Sequence, residues 1–412
     1  MARSIRFAVC LTTVLCAGAA FAQDPSGQTD ASTSQAAAST PVAYVYVGNT
    51  IDQDNLENNL YGFSAAANGK LTALPGSPFA INPAYVLEGN GKFLFDVNYN
   101  TLSSDTEVFD TFSVAHHGIP ELVDKATAPP GDYQVDAFLD HTGTHLYNLV
   151  FGGPDHTKIY FQVFSINQTT GKLSYSDLSE LGETSKVDIA EFGISFLGNN
   201  EYAYSPSFAL ASCSLLGFRH RSDGAMQPVN IGTLEPKPKD SGHFFCPAVV
   251  AGDATDHVAL LLEEYASVDA YQHGHPYAPP VIATYTAGSN GELTTTNTYE
   301  DLKTVTENIA FGFGGFSISP SGKFLAVSRS QAGLEIFHFD GAKPVTEFKT
   351  LLTHEAVYGV SWDNNNHLYV TGANTAGRGS LYVYTITPAG ITEAPGSPYA
   401  IPQPFGIVVQ PG

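Results

Sequence analysis

The chain of 412 residues carries 40 acidic against 18 basic side chains, a formal charge of −22, and is 43 % hydrophobic but only 14 % charged. A field of that sign repels phosphate backbones and anionic headgroups, which excludes nucleic acid and membrane surfaces as partners. The length exceeds what one simple core accommodates and points to two domains or one large repeat architecture.

Taken in chain order, the first 22 residues read as a cleavable export signal. Arg3 and Arg6 form a positive start, Phe7 to Ala20 an apolar run, and Ala20-Phe21-Ala22 a small-x-small cleavage site. The apolar run is shorter than the ~20 residues a bilayer span needs. Residues 23–40 (QDPSGQTDASTSQAAAST) form a polar tether with nothing to bury. The folded domain is expected over 41–412, and the location is expected to be periplasmic or secreted. Only Cys213 and Cys246 lie beyond the signal, and an even pair in an oxidising compartment reads as a disulfide.

From residue 43 onward short strand-like blocks recur between Gly, Asn, Pro and Ser turns, with no amphipathic helix of useful length. One block appears seven times, as AYVYVG (43–48), KFLFDV (92–97), THLYNLVF (144–151), NEYAYSP (200–206), HVALLLEE (257–264), KFLAVS (323–328) and HLYVTG (367–372). Each is followed by a second block, from LYGFSA (60–65) to LYVYTIT (381–387), and then by a weaker strand such as GKLTAL or GELTTT. Six units also have a strand before the first block, for example YQVDAFLDH (133–141) and VYGVSWDNN (357–365). The first unit lacks it, while PFGIVVQPG (404–412) has its pattern and nothing after it to pair with.

These observations define an all-β fold, a seven-bladed β-propeller of four-stranded antiparallel blades whose ring is closed by residues 404–412 completing blade one. Closure removes the unpaired edges an open ring would expose. It also explains why TALPGSPFAI (72–81) returns as TEAPGSPYAI (392–401) at the far end of the chain. The two strings are expected in adjacent blades, where the outer strand turns back toward the axis.

The unit SISPSGKFLAVS followed by LEIFHFD and a G-x-L-T outer strand resembles the lactonase-like and YVTN propellers, related to bacterial 6-phosphogluconolactonase. The resemblance covers nearly all of 41–412, and what it implies is the architecture. Catalytic members carry Gly-Pro-Arg-His before the turn that aligns with Ser319-Pro320-Ser321-Gly322-Lys323. Here that stretch is Gly312-Phe313-Gly314-Gly315, so the arginine and histidine positions are glycine.

The innermost strands of such a ring begin at the axial opening. This places Asp132, Tyr133, Gln134, Glu191, His243, Phe313, Tyr358 and Phe405 there, with Asp132, Glu191 and His243 as the polar members. The ligand-binding set is therefore Asp132, Tyr133, Gln134, Glu191, His243 and Tyr358. Arg219 and Arg221 end a strand and are expected to pair with local acids. His116-His117 and His273-x-His275 lack a third ligand of recognised spacing, and Asp52, Asp54 and Glu57 lack the glycine of a calcium loop, so no metal and no cofactor is implied. The functional expectation is an exported, monomeric binding or interaction scaffold for a small molecule or protein. The alternative is a sugar-lactone hydrolase with Glu191 and His243 as acid and base.

Overall fold

Alternating or continuous runs of apolar residues produce strands throughout, and in the computed structural model they assemble into seven antiparallel sheets. The structure describes residues 40–412 apart from 50–58, 82–85, 99–107, 128–132, 153–157, 184–192, 200, 210–211, 306–314, 330–332, 375 and 377. The signal and tether expected before residue 40, and the acidic stretch of Asp52, Asp54 and Glu57, lie outside the described residues.

The second strands of the blades are Ala43–Asn49, Phe93–Asn98, His145–Gly152, Tyr202–Ala209, His257–Tyr265, Phe324–Arg329 and His367–Ala373, each beginning within two residues of the repeated block. The innermost strands are Val86–Gly89, Tyr133–Leu139, Ser195–Phe196, Phe244–Gly252, Phe316–Ile318 and Ala356–Trp362 for blades two to seven. Blade one receives its innermost strand from the end of the chain. Pro404–Pro411 pairs antiparallel with Ala43–Asn49, with Ala43 opposite Pro411 and Tyr46 opposite Val408. Gln410 on this strand is buried and reaches blade two, donating from Nε2 to Phe93 O at 2.9 Å and accepting from Gly91 N–H.

Seven apolar clusters fill the seven interfaces between neighbouring blades. Val45 and Leu381 share the one between blades seven and one, and Leu197 and Leu260 the one between blades four and five. Each sheet thus packs on both faces, and burying such side chains contributes ~1.5–3 kcal/mol apiece.

Tyrosines of the second strands cross these interfaces. The hydroxyls of Tyr46, Tyr147 and Tyr204 donate to Gly118 O, Gly224 O and Gly291 O in the outer turn of the next blade, at 2.5, 2.7 and 3.0 Å. Gly224 combines φ +87° with a neighbouring His145 ring 2.6 Å from where a Cβ would sit, so only glycine fits.

The repeated strings occupy equivalent places in adjacent blades. Ser77 Oγ accepts from Gly62 N–H at 3.0 Å, and Ser397 Oγ from Val383 N–H at 3.1 Å, each satisfying a third-strand donor that the short outer strand leaves open. Tyr399 then accepts from Leu71 N–H across the interface at 2.8 Å.

Candidate functional site

The registers define two faces. In blade five Phe245 lies opposite Glu264 and Gly252 opposite Val258. The start of the innermost strand and the end of the second therefore share one face, the upper, and the turn between these strands lies on the other, the lower. The upper face carries the connections where the ligand is expected.

Blade five is where the upper face is best described. His243 precedes the innermost strand, and its Nδ1 lies 2.7 Å from Glu264 Oε1, with only 14 % and 6 % of the two side chains exposed. Asp240 Oδ2 lies farther off, 4.0 Å from the same nitrogen. With Nδ1 held by a carboxylate, the neutral ring keeps its other nitrogen as acceptor.

An aromatic wall surrounds this pair. Tyr277, 59 % exposed, meets the His243 ring edge-on at 4.4 Å. Phe244 stacks on Tyr265 at 6.0 Å, and Tyr271 sets its edge against Tyr265 at 5.2 Å. Tyr271 is held by the one-turn helix Val268–Gln272, whose first orphan donors are met by Ser267 Oγ accepting from Ala270 N–H at 3.1 Å. Phe245 stacks on Tyr299, and the Lys239 ammonium sits 5.1 Å from that ring's centroid.

Beneath the wall lies a buried polar layer. Tyr265 donates to Glu263, whose carboxyl is pushed up because burial outweighs that hydrogen bond. The expected disulfide is not formed in the structure: Cys213 and Cys246 are free thiols. They are nonetheless neighbours across blades four and five, with Cys213 Sγ 3.8 Å from Phe245 O and close enough to the Cys246 thiol to influence its ionisation. Burial, then the contact with Cys213, pushes the Cys246 thiol far above its usual range and keeps it protonated.

Of the other expected ring members, Asp132, Glu191 and Phe313 lie outside the described residues. Tyr133 and Gln134 open the innermost strand of blade three, opposite Phe151 and Val150. Tyr358 is half-buried at a bulge in the innermost strand of blade seven, and Phe405 near the start of the closing strand accepts at its carbonyl from Thr371 Oγ1 at 3.4 Å. Arg219 and Arg221 pair locally, with Glu201 at 2.9 Å and Asp223 at 3.0 Å. His116 stands exposed 3.9 Å from Glu121, and His273 and His275 stack on one another. Among the described residues neither histidine group gathers a third ligand.

Sequence reasoning found His243 but not its partners Glu264 and Tyr277. A readable sign existed for the first: HVALLLEE ends a fully buried strand in two carboxylates, which an apolar interior tolerates only when they are paired.

No protein-family model matches the chain, and no curated protein matches it. Among solved structures it is similar to a hypothetical selenium-binding protein from Sulfolobus tokodaii, with TM-score 0.54, 10 % identity, and 90 % of this chain covering 94 % of that one. It is also similar to a functionally unknown protein from Desulfotomaculum acetoxidans (TM-score 0.50, 13 % identity, 90 % of this chain and 99 % of that). A puromycin hydrolase aligns over 88 % of this chain and 53 % of its own (TM-score 0.52, 11 % identity). At such identities the likeness shows the fold alone, and the class it shares is the seven-bladed β-propeller.

Proposed function

We propose that the chain is an exported binding scaffold of the lactonase-like kind, whose ligand rests against the upper face of blade five. The observation that carries this reading is the His243–Glu264 pair set under the exposed Tyr277 ring. Aromatic walls with a few fixed polar groups suit a small molecule having an apolar face and a hydroxylated edge, such as a sugar ring or sugar acid. The glycines at the positions that resemble the lactonase Arg-His pair favour binding over turnover.

A second reading is favoured by one contact. A histidine held by a carboxylate at 2.7 Å is also the arrangement of a general base. A panel of aldonolactones and the matching aldonic acids, followed by calorimetry and by lactone hydrolysis, separates the two. Binding without turnover, weakened about tenfold or more by His243→Ala and by Tyr277→Ala, is the expected result. Lactone turnover that disappears in His243→Ala overturns the scaffold reading in favour of the hydrolase.

Export carries its own consequence for the thiol pair. In protein recovered from the oxidising side and unfolded before labelling, Cys213 and Cys246 are expected to resist alkylation until a reductant is added, because adjacent thiols there close into a staple between blades. Alkylation of both cysteines without reductant counts against export.

A further inference from the structure

On the lower face, the turn between innermost and second strands repeats one arrangement in three blades. Asp140 with His145, Asp253 with His257, and Asp363 with His367 each place the aspartate Oδ1 on the histidine's backbone N–H, at 3.1, 3.0 and 2.9 Å. The remaining oxygen, Oδ2, faces the histidine Nδ1. In blades five and seven that contact is a closed hydrogen bond of 2.9 and 2.6 Å. In blade three it opens to 3.4 Å, and a second imidazole enters: His220, the last residue of Ser212–His220 in blade four, brings Nε2 to 3.7 Å from the same Oδ2.

The three ligand atoms all lie within 4.8 Å of one another. Nitrogen and oxygen ligands bound tetrahedrally to one ion at ~2.0–2.1 Å stand about 3.4 Å apart. With Asp140 Oδ2 at 3.4 and 3.7 Å from the two imidazoles, the spacing in blade three leaves room for an ion among the three ligands, where the other two turns close into shorter hydrogen bonds. The carboxylate is also aimed from behind: Oδ1 takes Thr144 N–H at 2.7 Å, and the Thr142 hydroxyl reaches Oδ2 at 2.8 Å. Such outer partners orient a ligating carboxylate.

We propose that Asp140, His145 and His220 form a zinc-type divalent-cation site between blades three and four. Asp140 is fully buried and the two histidine side chains are 11 % and 4 % exposed, so the ligands are withdrawn from bulk water. Both imidazoles border a cleft of about 440 Å³, with Thr144, Glu201, Arg219 and Ser222 around it. Three protein ligands leave one position of a tetrahedral ion for a molecule in that cleft. This lower-face site is independent of the ligand proposed for blade five.

Co²⁺, with its visible d–d absorption, is the probe, titrated into the metal-stripped full chain with Zn²⁺ as competitor. One Co²⁺ per chain is expected, with the intense absorption of four-coordination and displacement by Zn²⁺. Asp140→Asn and His220→Phe should each weaken it about tenfold or more. The phenylalanine keeps a ring against Tyr147 and Phe196, which lie 6.0 and 5.6 Å from His220, so loss of metal with an unchanged thermal melt separates ligation from packing. His257→Ala and the double variant His273→Ala/His275→Ala should leave binding intact. Absence of binding in the parent chain, full binding in His220→Phe, or loss of binding in the double variant overturns the assignment.

Discussion

Removal of residues 404–412 is expected to abolish cooperative folding. The segment supplies the innermost strand of blade one, and its loss unpairs Ala43–Asn49 along that edge. It also opens both interfaces that flank the blade. Val408 belongs to the apolar cluster between blades one and two, while Ile407 and Val409 pack against the one between blades seven and one. One buried and two partly buried apolar side chains, at up to ~1.5–3 kcal/mol each, with backbone hydrogen bonds at about 1 kcal/mol each, approach the ~5–15 kcal/mol total stability of a typical domain. The truncated chain should show no near-ultraviolet dichroism and no sharp thermal transition. A single change, Gln410→Ala, removes only the two ties to blade two and should cost about 2 kcal/mol, lowering Tm by a few degrees. A truncated chain that melts cooperatively near the parent's Tm would remove the basis for a ring sealed by this strand.

The second large effect is a dependence on pH that traces to Glu88. Alternation along Val86–Gly89 sends Leu87 into the cluster shared with blade one, leaving Glu88 on the side of blade three and Asp136. Burial, reinforced by the Asp136 charge, pushes the Glu88 carboxyl up to about 8. A carboxyl whose folded pKa is raised binds its proton more tightly folded than unfolded. Its contribution to stability is therefore complete below the ordinary value near 4.5 and is lost as pH rises through about 8. Glu88→Gln fixes the neutral form and should be more stable than the parent at pH 8.5, by an amount on the order of 2 kcal/mol, with little difference at pH 4.5. Asp363 acts with the opposite sign. Burial works to raise its carboxyl, but the hydrogen bonds from His367 prevail and hold it low, so its contribution is present above the usual carboxylate range and disappears in strong acid. Urea midpoints at pH 4.5 and 8.5 read the Glu88 effect, and a further midpoint in strong acid, below the usual carboxylate range, reads that of Asp363. An identical loss between these pH values in the parent and in Glu88→Gln would leave Glu88 without a role.

The ring was legible because its grammar is local. Each second and third strand is a run of alternating or continuous apolar residues bounded by turns, and seven copies place themselves without any three-dimensional knowledge. The closing strand could be read from a deficit, since one unit lacked an innermost strand and one tail had no partner. The nearness of Cys213 and Cys246 followed from counting blades, although the structure keeps them as thiols.

The sites were harder to read because their members meet across interfaces. Alternation says which side of a sheet a residue takes, but not which side chain of the next blade arrives opposite. His220 reaches Asp140 from another blade, and nothing local to RHRSDG distinguishes it from the strand-end arginines beside it. His243 was found from its position before an innermost strand, whereas Tyr277 comes from an insertion whose path the strand pattern does not constrain.

The pairing of Ala43–Asn49 with the chain's last segment also sets the order of assembly. Blade one leaves the ribosome first yet obtains its final hydrogen bonds only when every other blade has been made. Until then it presents a bare strand edge that any passing β-segment can capture, and that exposure lasts through the making of the other six blades. Slow refolding is the expected consequence of a sheet whose members Ala43–Asn49 and Pro404–Pro411 lie so far apart in the sequence.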